Sequence, residues 1–261
     1  GRLNCSKYGV ELLSSDDHEI IKDRSLKLIN LNNKRKKIEQ NILDEIDFEK
    51  IKREDKDVIV YYKNNLNEGL IGIIASRLKD YFNKPSIVIT NSNNILKASA
   101  RSTTTYNIGQ LIKLLIEKKI IEKGGGHNMA AGFTIKKSNI NILDDFIQKD
   151  FFKKNSNAKN TNNYDGEIST SAINLDFMNE LNKLSPFGNF NPLPFFLIRN
   201  LKIIKTNIIN KKHMSVIMKP AIGGSSIKTI CFNCLTHEIG KYLLTYNKKI
   251  NIIAQIHENF W

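Results

Sequence analysis

Apolar residues recur along the chain in two rhythms, one of helical period and one of strand period. The switches between the two mark out the elements. After the cluster Val10, Leu12 and Leu13, the run Ser14-Ser-Asp-Asp17 supplies an N-cap with acidic first-turn residues. Ile20, Ile21, Leu28, Leu31, Ile38, Ile42 and Ile46 then keep helical spacing, which predicts one long helix reaching about residue 52. Its intervening face, Lys34-Arg-Lys-Lys37, is basic. A solvated helix face and a connector beside a nucleic acid both fit that face.

Strand and helix patterns alternate next. Strands are expected at 57–62, 86–90, 95–101 and 133–136, with helices at 70–82, 107–119 and 140–152. Pro85 breaks the first of these helices, and the asparagines of 91–94 turn the chain. This alternation predicts an α/β class domain, a mixed and mostly parallel sheet flanked by helices, preceded by the long connector helix. Residues 153–163 are polar and aperiodic and read as a linker. Beyond them the pattern changes to short strands at 164–169, 195–209, 214–219, 226–233 and 249–256, with helices at 175–184 and 238–245. The run 185–194 is rich in Pro, Gly and Asn and reads as a rigid turn. Five strands with one helix among them fit a small β-barrel of the OB-fold type. The division is therefore 1–52, 53–152, the linker 153–163, and 164–261.

Length and charge narrow the partners. The 261 residues suit two domains of roughly 100–200 residues each. The formal net charge is +14, which favours a polyanion such as nucleic acid, although Lys, Asn and Ile are abundant throughout. No run of about 18 apolar residues is present, so no membrane helix is expected. Three cysteines, Cys5, Cys231 and Cys234, are too few and too scattered for a disulfide framework and fit a reducing cytoplasm. Cys231-x-x-Cys234 lacks a second ligand pair for zinc and reads as small residues on a strand and its turn. The chain begins Gly1-Arg2 without methionine or an apolar leader, which reads as part of a longer protein.

The candidate chemistry lies in three places. Glu122-Lys-Gly-Gly-Gly-His-Asn-Met-Ala-Ala-Gly132 contains three consecutive glycines, Gly124, Gly125 and Gly126, followed by His127. Such a run is tolerated where φ is positive or where backbone must approach closely. A tight turn with a bonded histidine and a loop bringing N–H groups and an imidazole to a polyanion both remain open. Ser99-Ala-Arg101-Ser102 ends a predicted strand, where a hydroxyl, an arginine fork and a second hydroxyl suit one phosphate. On the helix before, Gly69 and Gly72 have a packing explanation, and Arg77 a solvent or ion-pair explanation. Asp16-Asp17-His18 reads as a helix start rather than a metal triad. The five histidines are scattered, so no metal cluster and no nucleophilic triad is legible.

Taken in order, Gly1-Arg2, Glu68-Gly-Leu-Ile-Gly-Ile-Ile-Ala-Ser-Arg77, Lys97-Ala-Ser-Ala-Arg-Ser102, Gly124-Gly-Gly-His-Asn-Met-Ala-Ala-Gly132 and Leu184-Ser-Pro-Phe-Gly-Asn-Phe-Asn-Pro192 resemble the RecJ family. These are single-stranded-DNA-specific 5′→3′ exonucleases of the DHH phosphoesterase superfamily. The resemblance covers essentially the whole chain. It implies the end of a DHH domain with its connector helix, then a DHH-associated domain, then a RecJ OB domain that stops before its last strand or strands. It further implies that Arg2, Ser99 and Arg101 hold DNA phosphates, including the 5′ end. The glycine run and His127 would face the metals and grip the nucleotide to be cut. Mn²⁺ or Mg²⁺ would be held by the DHH domain and not by this chain. Leu66-Asn67 stands where the family often has Trp-His.

The expected function is therefore the substrate-binding part of a nuclease acting in DNA repair and recombination. The expected partners are single-stranded DNA, with single-strand-binding protein and a helicase as further ones. A monomer in the cytoplasm, unable to degrade DNA by itself, completes the expectation. Two alternatives stand beside it. One is a nano-RNase or cyclic-dinucleotide phosphodiesterase of the same superfamily. The other is a non-catalytic single-stranded-DNA-binding module.

Overall fold

A computed structural model describes residues 2–3, 6–92, 95–155, 163–188, 190–235, 237–244 and 249–258. The chain forms two compact units, Gly1–Lys159 and Asn160–Trp261. Most of the expected linker, residues 156–162, lies outside the described residues, as do Gly1, Cys5 and the final 259–261.

The first unit opens with α1 (Lys7–Ser14) and α2 (His18–Asp44). Asp17 caps α2, its carboxylate accepting from the N–H groups of Glu19 and Ile20. The helix-start reading of Asp16-Asp17-His18 therefore holds. The single helix reaching residue 52 does not: α2 stops at Asp44, and Asp47 caps a separate α3 (Phe48–Glu54). Apolar spacing carries across that break, because α2 and α3 both pack on the same cluster through Ile42, Ile46, Phe48 and Ile51.

Five strands then build one sheet: β1 (Ile59–Tyr62), β2 (Ser86–Ser92), β3 (Ile95–Arg101), β4 (Lys123–His127) and β5 (Ala130–Ile135). Their order is β1-β2-β3-β5-β4. Only β1 and β2 are parallel, joined by the crossover helix α4 (Glu68–Phe82). Every other pair is antiparallel. The mixed α/β class holds, whereas the mostly parallel sheet is corrected. Not every element change is a crossover, because β2 turns straight into β3 and β4 into β5.

Strand alternation divides the core between the two faces of the sheet. Ile87, Ile89, Ala98, Ala100, Ala131, Phe133 and Ile135 face α5 (Ile108–Glu117) and α6 (Ile140–Asn155). On the other face, Ile59 and Val88 pack under Leu70, Ile71, Ile74, Ala75 and Leu78 of α4. Each fully buried leucine there stabilises the fold by roughly 1.5–3 kcal/mol. Helix α4 covers only part of that face. Over β5 and β4 the surface stays open, with Gly132, Lys123, Gly125 and His127 exposed.

The second unit is a sheet of order β10-β7-β8-β9. Its strands are β7 (Phe195–Ile209), β8 (His213–Pro220), β9 (Ile227–Cys231) and β10 (Lys249–Gln255), with the short β6 (Gly166–Glu167) parallel to β7. The long β7 shifts register at Ile203/Lys205 and so bends, serving β10 along one half and β8 along the other. Helix α8 (Glu238–Leu243) plugs the fold through Leu243 and Gly240. Helix α7 (Leu175–Asn182) packs on Phe187, Leu193, Phe196 and Ile256. This is a half-barrel of OB type. Among the described residues no pairing joins β9 to β10, so the closed barrel is not formed by them. The turn-rich run 185–194 is held by Asn191, whose side-chain amide donates to the carbonyls of Leu184 and Pro186.

Candidate nucleic-acid interface

The register of β3, β5 and β4 sets three rows of side chains across the open face. Arg101 pairs with Ala130 and Ala130 with His127. Ser99 pairs with Gly132 and Gly132 with Gly125, and Lys97 with Thr134 and Thr134 with Lys123. The central row is nearly bare, a floor flanked by cationic rows.

Arg101 and Ser99 sit against α4 at one end of this floor. The Arg101 guanidinium donates to the Ser99 hydroxyl at 3.1 Å and to the Ala100 carbonyl at 2.7 Å. A Cβ on Gly72 would lie 2.8 Å from its Nη2 and 3.0 Å from Ser99 Oγ. One turn earlier, a Cβ on Gly69 would meet the Arg2 carbonyl oxygen at 2.0 Å, and Arg2 Nη1 donates to the Gly69 carbonyl. Two glycines on one face of α4 thus admit two arginines. Burial, and then the neighbouring Arg2 charge, lower the Arg101 pKa. Among the described residues neither arginine forms a salt bridge to a carboxylate. An anion placed between them would offset both the burial and the repulsion.

Around this pair lies an open cleft of about 700 Å³, whose wall holds Arg2, Lys97, Arg101 and Lys123 against a single carboxylate, Glu68. Lys97 is paired with Glu68. Apolar pockets with a few polar groups are the usual mark of small-molecule sites, and this cleft is instead open and cationic.

The glycine run is the β4 strand, not a loop, and none of Gly124, Gly125 and Gly126 has a positive φ. Ala130, Ala131 and Gly132 likewise belong to β5 rather than to a turn or short helix. Close approach is what the glycines serve, and the three differ. A Cβ on Gly124 would meet Phe133 Cβ at 2.7 Å, and one on Gly126 the Ala130 carbonyl oxygen at 2.4 Å. Gly125 has nothing within 4 Å of its Cβ position. It lies on the open face, where its bare backbone lets another chain approach. His127 ends the strand. The hairpin tip is tied down by Ile108 N–H donating to the Asn128 carbonyl and Ser102 N–H to the Met129 carbonyl. Gly109 of α5 packs within 3.0 Å of the His127 carbonyl carbon, measured from its Cβ position. The Met129 N–H donates to His127 Nδ1 at 3.3 Å. The neutral ring then carries its proton on Nε2 and offers it as a donor.

Ser102 does not join this group. It is buried, and its hydroxyl donates to the Tyr106 carbonyl at 2.6 Å, closing the loop that starts α5. Tyr106 is itself buried and donates to Asp150 at 2.7 Å; burial and that carboxylate raise its pKa. Arg77 reaches Glu39 at 2.8 Å, where Arg35 also bonds, so the ion-pair explanation of Arg77 holds. Arg35, in the basic face of α2, is likewise drawn into structure. Cys231 ends β9 and Cys234 follows in its turn, as read. Two contributors escaped the sequence reading, Lys123 and Thr134, while the packing explanation of Gly69 and Gly72 holds. The period-2 alternation that sets 97, 99 and 101 on one face was the signal for a cationic row at 97.

Residues 55–152 match the DHHA1 domain and residues 164–261 the RecJ OB domain. The single-stranded-DNA-specific exonuclease RecJ of Bacillus subtilis is 29% identical to the chain over 276 residues, covering 100% of the chain and 33% of that relative. Its namesake from Haemophilus influenzae is 28% identical over 268 residues, covering 96% and 46%. The chain therefore spans between a third and a half of the length of these relatives. In structure, RecJ from Thermus thermophilus in complex with Mn²⁺ superposes with a TM-score of 0.74 at 19% identity, covering 100% of the chain and 37% of that protein.

Proposed function

The chain belongs to the RecJ family, a DHHA1 domain followed by a RecJ OB domain, and on that footing we propose that it is the DNA-holding part of a single-stranded-DNA-specific exonuclease. One observation carries this reading above the others. Arg2 and Arg101 converge beside a bare strip of sheet, and neither forms a salt bridge among the described residues.

In this reading Arg101, Ser99 and Arg2 neutralise and orient a backbone phosphate, the 5′-terminal one among them. Gly125 and Gly132 leave room for the sugar–phosphate chain to lie on the sheet. His127 donates from Nε2 to an oxygen on which negative charge builds during cleavage. The floor is one bare row, its cationic flanks about 6.7 Å to either side along the strands, a width that suits one strand and not a duplex.

Hydrolysis in this class uses a divalent metal, and related RecJ structures are complexes with Mn²⁺ or Mg²⁺. Among the described residues no three His, Cys, Asp or Glu side chains come together as ligands. The described residues offer no ligand set for the metal, and in this reading their contribution is position and charge. We place the metal on a DHH domain of the whole protein. Single-strand-binding protein and a helicase are the proposed companions, in the cytoplasm. The structure itself adds that no described helix is long and apolar enough to cross a membrane.

A competition experiment tests the reading. A labelled 5′-phosphorylated 20-nucleotide single strand is bound in chelator, then displaced with unlabelled single strand or with duplex of the same sequence. Single strand should compete at least ~10-fold better, the margin that a groove excluding the second strand provides. Equal competition would contradict it.

A further inference from the structure

The row Lys97–Thr134–Lys123 lies four residues along the strands from Arg101 and one row beyond the bare floor. Four strand residues span about 13 Å, close to the separation of phosphates two nucleotides apart in an extended single strand. Lys123 has no carboxylate partner among the described residues. Between the two lysines stands Thr134, 9% exposed, whose hydroxyl oxygen is buried without a hydrogen-bond partner. It lies on the cleft side of β5, since its neighbours Phe133 and Ile135 face the core. Buried hydroxyls are ordinarily satisfied, so an orphan between two cations marks a place where an acceptor is missing. Lys97 is meanwhile occupied by Glu68.

We propose that Lys97, Thr134 and Lys123 form a second phosphate subsite, filled by the phosphate two nucleotides away from that held by Arg101. The subsite rests on the single-stranded-DNA reading above and extends it. The incoming phosphate accepts from the Thr134 hydroxyl and from both ammonium groups, and displaces Glu68 from Lys97. Glu68 thus competes with DNA for Lys97, and it sets how strongly a third nucleotide is held.

The test is a set of titrations of the protein in chelator with thymidine 5′-monophosphate, with the 5′-phosphorylated thymidine trinucleotide, and with a 5′-phosphorylated thymidine 12-mer. The double variant Lys97→Gln/Lys123→Gln should bind the trinucleotide and the 12-mer roughly 10-fold more weakly, as expected for lost bonds to a charged group. It should bind the mononucleotide unchanged. Its slope of log affinity against log salt should fall by about 0.7, one phosphate for a single strand. Thr134→Val should weaken the trinucleotide while leaving the melting temperature equal or higher, because it removes an unpaired buried hydroxyl. Glu68→Gln should tighten the trinucleotide. Unchanged trinucleotide affinity and salt slope in the double variant would overturn the subsite. So would a Thr134→Val protein that melts earlier yet binds normally. If Arg101→Ala weakens all three probes while the double variant changes none, the subsite alone fails. If the unaltered protein binds none of them, the subsite and the single-stranded-DNA reading both fall.

Discussion

Gly72 stands where a Cβ would lie 2.8 Å from Nη2 of Arg101, so the helix and the guanidinium share space that only glycine leaves open. Alanine is the better helix former by up to about 1 kcal/mol. Gly72→Ala should therefore keep or raise the melting temperature while pushing Arg101 off Ser99. Affinity for 5′-phosphorylated single strand should fall several-fold. Full affinity in a well-folded variant would show that Arg101 does not need this seat.

Arg101 itself should discriminate the end of the strand. Arg101→Ala is expected to weaken a 5′-phosphorylated oligonucleotide by about 10- to 100-fold, the worth of a charged hydrogen-bond set. A 5′-hydroxyl oligonucleotide should lose less. Equal losses, read by fluorescence anisotropy at one salt concentration, would make Arg101 a general backbone contact.

The three glycines of β4 should separate under alanine substitution. Gly124→Ala forces a methyl against Phe133 and should cost about 1–3 kcal/mol of stability. Gly125→Ala meets nothing and should melt like the unaltered protein, yet bind single strand more weakly because the floor is no longer bare. Thermal melts and titrations of both variants check this. A Gly125→Ala protein that melts several degrees early would return that position to a purely structural role.

Cys231 offers a pH-dependent check on the second unit. Burial, helped by Cys234, pushes its thiol up to about 12. A pKa raised in the folded state means the neutral thiol is favoured. The associated stability is fully present below the ordinary thiol value near 8.5 and is lost as pH climbs toward 12. At pH 8 the Cys231 peptide should alkylate at least about 100-fold more slowly in native than in unfolded protein, read by mass spectrometry. Matching rates would show the thiol is neither buried nor paired.

Element types were largely legible in the sequence, because apolar periodicity reports which face is buried. Topology was less so. The turn at 91–94 between β2 and β3 was legible, but a helix between strands reads as a crossover, and only the register shows that β5 runs antiparallel to both β3 and β4. The site was legible in its residue types and not in their directions. Ser102 follows Arg101 immediately, yet it leaves the strand and turns inward to Tyr106. Gly124, Gly125 and Gly126 are identical in sequence and differ only by the face each presents. Leu66-Asn67 serves the fold: Leu66 is buried, and Asn67 caps α4 by accepting from Gly69 N–H. Thr134 could not be singled out at all, since an unpaired hydroxyl is a property of its surroundings.

The central claim, that single-stranded DNA lies on the open face of the first sheet, is tested most directly by photo-cross-linking. A 5′-phosphorylated single strand carrying a photoreactive base near its 5′ end is bound to the protein in chelator, and the attached peptides are identified. The account predicts cross-links within 97–101, 123–127 and 130–134, suppressed by Arg101→Ala. Cross-links confined to the basic face of α2 at 34–37, or to the second unit, would contradict it.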